Sequence, residues 1–346
     1  MNKKTTLLLV QFFFILMFAS EVHAQQIYTN GNFSTGVVSN SGVAAPSGYT
    51  WSECQNNIGN TTEANTSSGF SSAFNVNGNV NNVLADDFIV PAGAGWSVTS
   101  FDFYGYEVNS TATTLPFDEL RIQIYNGDPS AGGTVIAGNL TTNVLDVANS
   151  GEAFIYRIFN STVPAPSPPT TLRKVWRLRG NLPLSLSPGT YWVAFQMHPI
   201  NDLGCFSPPV TVVGTRGLAS WNAKQSTVDV PAFTGIFDDG NPVSAPDVNQ
   251  DLPFVINGTL GISQHDFESG VLLFPNPVKD LLFITVPEDV TVTSYEIFDL
   301  NGKIVKYLNS DTSGILEINV SEFSDENYTL KLKSNKGIVT KKFIKK

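Results

Sequence analysis

The chain has 346 residues, of which only 14% are charged, and 30 acidic against 20 basic side chains give a net charge of −10. Within residues 25–260, eight basic against seventeen acidic side chains disfavour nucleic acid and anionic lipid as partners, because phosphate recognition usually needs a basic patch. The abundance of Asn, Ser, Thr and Gly suits a β-rich extracellular protein whose surface is hydrogen-bonding rather than ionic.

At the N-terminus, Lys3 and Lys4 precede an apolar core from Leu7 to Phe18. Val22-His23-Ala24 follows as a signal-peptidase site, so residues 1–24 are expected to be a signal peptide cleaved before Gln25. The apolar run is short for a membrane span, and no later segment is apolar enough to cross a bilayer.

Residues 25–260 form the first expected domain. Strands are expected nearly throughout, with no convincing amphipathic helix. Residues 101–108 set Phe101 and Phe103 against Asp102, Tyr104 and Tyr106, and residues 120–127 set Leu120, Ile122 and Ile124 against Arg121, Gln123 and Tyr125. This period of two, in aromatic and β-branched residues, marks half-buried antiparallel strands. Further strands are expected at 85–90, 135–138, 154–159, 174–180, 190–198 and 252–259. Asn126-Gly127-Asp128-Pro129, Ser187-Pro188-Gly189 and Asp238-Asp239-Gly240-Asn241-Pro242 supply the turns between them. Short strands with polar turns predict a β-sandwich of jelly-roll type.

A polar, glycine-flanked linker is expected at 261–270. Beyond it, 271–346 carries strands at about 280–286, 293–299, 303–308, 314–320, 327–333 and 337–344, a small sandwich of immunoglobulin-like size. Pro275 and Pro277 cannot donate to a ladder and hold its entry extended. Asn301-Gly302 is the strongest hairpin signal in the chain.

Several ordered motifs in this last region carry a family likeness. They are Phe274-Pro275-Asn276-Pro277-Val278-Lys279-Asp280, then YEIFDLNGKIVK at 295–306, YTLKLKS at 328–334 and the lysine-rich end TKKFIKK. Together they resemble the C-terminal sorting domain of type IX secretion substrates of Bacteroidetes-type bacteria. The resemblance implies recognition by the type IX translocon and cleavage by a sorting peptidase. The cargo is then released or linked to the cell surface, outside the outer membrane. The first domain is similar, through ADDFIVPAGAGWSVTSFDFYGY, LRIQIYNGDPSAGGTVI and LPLSLSPGTYWVAFQ, to a sandwich module of secreted bacterial proteins, a likeness that brings no catalytic residues.

Cys54 and Cys205 form an even pair in an exported chain and are expected to be a disulfide. Closing so long a loop would contribute about 4 kcal/mol in the chain-entropy model. Catalytic motifs are missing: there is no HExxH, GxSxG, P-loop or CxxC. A triad would have to be built on His198, and a carboxylate pair on Glu107, Asp118 and Glu119 at strand ends. Structural calcium is a stronger expectation than catalysis, with Asp86-Asp87 and Asp238-Asp239, and also Asp247 with Asp251, as oxygen donors in irregular backbone.

The most suggestive constellation is aromatic. In YWVAFQMH, Tyr191, Val193, Phe195 and Met197 share one face, which leaves Trp192 and Gln196 on the other as a stacking surface beside an amide. Tyr104 or Tyr106 from a neighbouring strand is expected to extend it. Three function classes remain: a non-catalytic module that binds glycan or another extracellular polymer, a structural or adhesive surface protein, and a hydrolase of unfamiliar design.

Overall fold

The computed structural model describes residues 25–346 apart from 75–78, 93–94, 202–203, 261–263 and 289, with backbone alone for 264–266. The expected signal peptide and the start of the expected linker lie outside the described residues. In chain order the first module contains β1 (Gln25–Thr29), β2 (Thr50–Glu53), β3 (Phe70–Ser71), β4 (Val83–Val90), β5 (Trp96–Glu107), β6 (Phe117–Asn126), β7 (Thr134–Asn139) and β8 (Gly151–Ile158). It continues with β9 (Lys174–Leu186), β10 (Gly189–Pro199), β11 (Cys205–Ser207), β12 (Lys224–Ser226), β13 (Thr234–Gly235), β14 (Phe237–Asp238), β15 (Val248–Asn249) and β16 (Phe254–Leu260).

Two sheets carry the architecture. The larger runs β1-β16-β5-β9-β8-β2, with β11 attached to β5 and β3 to β11, and the smaller runs β13-β12-β4-β10-β6-β7. The alternation explains why they face each other. Tyr191, Val193, Phe195 and Met197 of β10 point into the same buried core as Phe101, Phe103 and Leu178 of the large sheet. The Phe103 and Phe195 rings stack across the gap with centroids 4.1 Å apart. Gly180 leaves room for the facing sheet: a Cβ there would meet Ile122 Cδ1 at 2.4 Å. The β2–β8 pair is parallel, unlike the antiparallel pairing expected throughout.

The second module has β17 (Leu272–Phe274), β18 (Leu281–Thr285), β19 (Thr291–Phe298), β20 (Ile304–Ser313), β21 (Ile315–Asn319), β22 (Asn327–Ser334) and β23 (Gly337–Ile344). They form a three-stranded sheet, β17-β18-β21, and a four-stranded sheet, β20-β19-β22-β23, around a core of their own. Asn301-Gly302 turns β19 into β20 as expected, with Gly302 at φ 78° and Asp299 Oδ1 accepting from the N–H groups of Asn301 and Lys303. One expectation fails: Gln264–Gly270 of the linker is a short helix. Its Phe267 is fully buried in the second core beside Val271, which ties this segment to that module.

Candidate functional site

The structure does not open the expected stacking surface at Trp192. Its ring is only 4% exposed, packed with Val83, Ala85 and Ala194 and covered by Tyr125, Leu140 and Phe233, with Lys224 Nζ 5.1 Å above the ring. The chain from β12 to β13 closes over this face of the small sheet, which sequence alternation alone does not reveal. Gln196 is fully buried and donates to Asn81 Oδ1 at 3.0 Å. Tyr104 and Tyr106 belong to the other sheet. Tyr104 packs on Phe33 at 4.6 Å, and the buried Tyr106 donates its hydroxyl to Ser68 Oγ. These four residues are core and inter-segment packing, not a platform.

The expected disulfide is also corrected. Cys54 and Cys205 are both free and buried. Cys54 Sγ lies 3.3 Å from Arg157 Nη2, whereas Cys205 Sγ sits 3.8 Å from Ser72 Oγ and from the Met197 carbonyl. Each thiol is thus held by its own partners. Burial pushes the Cys54 thiol up despite the nearby Arg157 charge, and pushes Cys205 up to about 12.

Among the expected cation ligands, Asp238 is spoken for. Its Oδ1 accepts from the N–H groups of Thr66 and Gly240, its Oδ2 accepts from that of Ser67, and the buried Arg216 lies 3.9 Å away. A carboxylate wrapped by donors is an internal anion and not a cation ligand, and Asp239 beside it is exposed. Asp86 and Asp87 instead join Asp251. Asp86 Oδ2 accepts from Asn30 and from the Leu252 N–H, and Asp251 accepts from the Asn222 N–H. Swapping the Asn222 amide lets its nitrogen donate to both Asp86 and Asp87 at 3.2 Å. Burial raises the Asp86 carboxyl well above the usual range and Asp251 to about 6. Among the described residues no group of three or more His, Cys, Asp or Glu side chains is arranged to hold a metal ion.

His198 Nδ1 lies 2.6 Å from Asp118 Oδ1, so the strand-end histidine and one of the weighed carboxylates do meet. Glu119 is bound instead to Arg121 at 2.9 Å. Glu107 is buried and accepts from Ser110, away from that pair.

The site that sequence reasoning missed lies where the large sheet outruns the small one. β6 and β7 pack over β9. β8 and β2 continue the large sheet past that point, with a separate cluster of Trp51, Tyr156 and Ile158. Register places Tyr156 opposite Lys174, Glu152 opposite Trp176 and Trp51 beside Tyr156, so all five share the face that elsewhere forms the core. On this shelf Tyr49 stacks on Tyr156 at 4.7 Å and meets Phe154 edge to face at 5.6 Å.

Phe154 is the unusual member. A bulge between Glu152 and Ile155 pushes it out of the ladder, at φ 56° and 57% exposed. A bulky residue in left-handed backbone costs about 1–2 kcal/mol. The rest of the chain holds an aromatic ring outward at that cost.

Polar groups rim the rings. The Tyr49 hydroxyl donates to Glu152, whose other oxygen accepts from Lys174 Nζ at 2.8 Å. That hydrogen bond pushes the Tyr49 phenol up. Burial works to raise Glu152, but the bonds from Lys174 and Tyr49 outweigh it and hold its carboxyl below the usual range. Beside the shelf, a turn-rich segment exposes Val37, Val38 and Val43, and the Val43 carbonyl accepts from Trp51 Nε1 at 3.0 Å.

Comparison with known proteins bears on the second module. Residues 272–346 match the family described as the secretion system C-terminal sorting domain. The chain therefore carries a type IX sorting domain and is a secreted or cell-surface cargo of that route. No helix among the described residues is long and apolar enough to cross a membrane.

No curated protein matches the chain. Similar solved structures include the BSP domain of a biofilm-associated protein, at 9% identity and a TM-score of 0.22, covering 78% of this chain and 52% of that one. The adhesin domain of Epf from Streptococcus pyogenes aligns at 8% identity and a TM-score of 0.19, covering 75% and 71%. A glycosyl hydrolase family 2 member from Bacteroides cellulosilyticus aligns at 7% identity and a TM-score of 0.15, covering 76% and 28%. The chain spans about half the length of the first of these. Likeness at such scores carries no argument about function.

Proposed function

We propose that this type IX secretion cargo binds an extracellular polysaccharide, without catalysis, on the shelf formed by Tyr49 and Phe154 and backed by the buried Tyr156. The observation that carries the reading is Phe154, held outward in strained backbone beside a second aromatic ring. Aromatic faces are negative, and the C–H bonds on the flat side of a pyranose present a weakly positive surface to them. The Tyr49 hydroxyl, Glu152 and Lys174 stand at the rim, where the hydroxyls of a stacked sugar would reach. An open shelf accepts a segment of a long polymer, whereas an enclosed pocket would select its end.

The exposed Val37, Val38 and Val43 next to the shelf favour one second reading, adhesion to a protein surface. Co-sedimentation of the full chain with insoluble polysaccharides separates the two. Saturable binding that Phe154→Ala removes supports the glycan reading. Failure to sediment with any of them, together with loss of surface adhesion on Val38→Asp, supports the adhesive one.

A further inference from the structure

The second module has a groove of about 520 Å³ lined by residues from four separated stretches. Asn276 comes from the Phe-Pro-Asn-Pro strap, Asp299 and Leu300 from the turn after β19, Tyr328 from the start of β22, and Lys342 and Ile344 from β23. The strap is bound to the last residues of the chain. Asn276 Oδ1 accepts from the Ile344 N–H at 2.9 Å, the Val278 N–H donates to the Ile344 carbonyl, and the Lys346 N–H donates to the Val278 carbonyl. One wall of the groove therefore exists only when both ends of the module are present.

Folding explains Tyr328, which is buried in the core, and Asn276 and Asp299, which hold the strap and the turn, but not Leu300, Lys342 and Ile344. Leu300 is 67% exposed and Ile344 40% exposed, two apolar side chains facing solvent at the groove. Lys342 is exposed and forms no ion pair among the described residues, while Asp299 spends its carboxylate on its own turn. The groove thus offers apolar contact and an unspent positive charge, reinforced by Lys341 and Lys346 nearby in the chain.

We infer that this groove is the surface by which the secretion machinery reads the sorting domain. Its occupant is an extended segment of that machinery with an apolar side chain seated against Leu300 and Ile344 and an acidic one meeting Lys342. Desolvated apolar anchors beside a complementary charge are the usual core of such contacts. The inference concerns export alone and is independent of what the first module binds.

The test expresses the full chain in a bacterium with type IX secretion and compares extracellular with periplasmic protein. Leu300→Asp and Lys342→Glu, both at exposed positions, are expected to keep the melting transition of the purified chain. Each is expected to lower the exported fraction by about tenfold, the effect of losing about 1.4 kcal/mol of docking. Lys342→Arg restores export, and Lys333→Glu, exposed on β22 outside the groove, leaves it unchanged. Wild-type export of both groove variants, or an equal loss with Lys333→Glu, would overturn the inference.

Discussion

Tyr49 and Phe154 meet edge to face, ring centroids 5.6 Å apart, although one precedes β2 and the other sits in the bulge of β8. The contact joins two features that folding alone does not require, an exposed ring packed on a half-buried tyrosine and a phenylalanine in left-handed backbone. If the ring is kept for a ligand, stability and binding should part company on substitution. Phe154→Gly relieves the backbone but adds unfolded-chain entropy and loses the Tyr49 contact, so stability is expected to stay within about 1 kcal/mol of wild type while polysaccharide binding weakens about tenfold. Thermal melts and a binding isotherm on the same preparation check both halves.

The carboxylates around Asp251 predict an acid-favoured stability. The Asp251 pKa rises from 3.8 to about 6 in the folded protein, so the native state binds more protons than the unfolded chain between those values. Stability should therefore fall as pH rises from about 4 to about 6 and level off above, by roughly 1–2 kcal/mol once partial exposure is allowed for. Asp251→Asn should flatten that slope and be the more stable protein at pH 7, as urea unfolding at two pH values would show.

Asp238 predicts the opposite kind of effect. Three backbone N–H groups and Arg216 converge on this buried carboxylate. Asp238→Ala would leave those donors and the guanidinium without an anion, at a cost of about 3–5 kcal/mol. Urea midpoints measure it.

The two thiols make a direct chemical prediction. Native protein prepared without reductant should resist a thiol reagent, because both sulfurs are buried, and should titrate two thiols once unfolded. Absence of reactive thiols after unfolding would restore the disulfide.

How much was legible in the sequence depends on the range of the signal. Period-two alternation located β6 within three residues and the C-terminal half of β5, because burial on one face leaves its mark every second position, and β4, β10 and β16 fell within two residues of their expected bounds. Asn301-Gly302 gave its hairpin because left-handed backbone favours that pair. What alternation cannot say is whether a face is covered. Trp192 was assigned correctly to the face away from the main core, yet a second segment with Phe233 closes over it. The shelf was invisible for the complementary reason. Tyr49 lies in a loop, Phe154 in a bulge that breaks the alternation, and only the parallel β2–β8 pairing brings them together. A Phe with positive φ leaves no mark in a sequence.

Affinity electrophoresis of the full chain through gels containing soluble polysaccharides tests the central claim most directly, with Tyr49→Ala, Phe154→Ala and the buried-site variant Trp192→Phe run beside it. The account predicts that at least one polysaccharide retards the wild type and Trp192→Phe, and that the two shelf variants run free. Retardation that Tyr49→Ala and Phe154→Ala leave intact would contradict it.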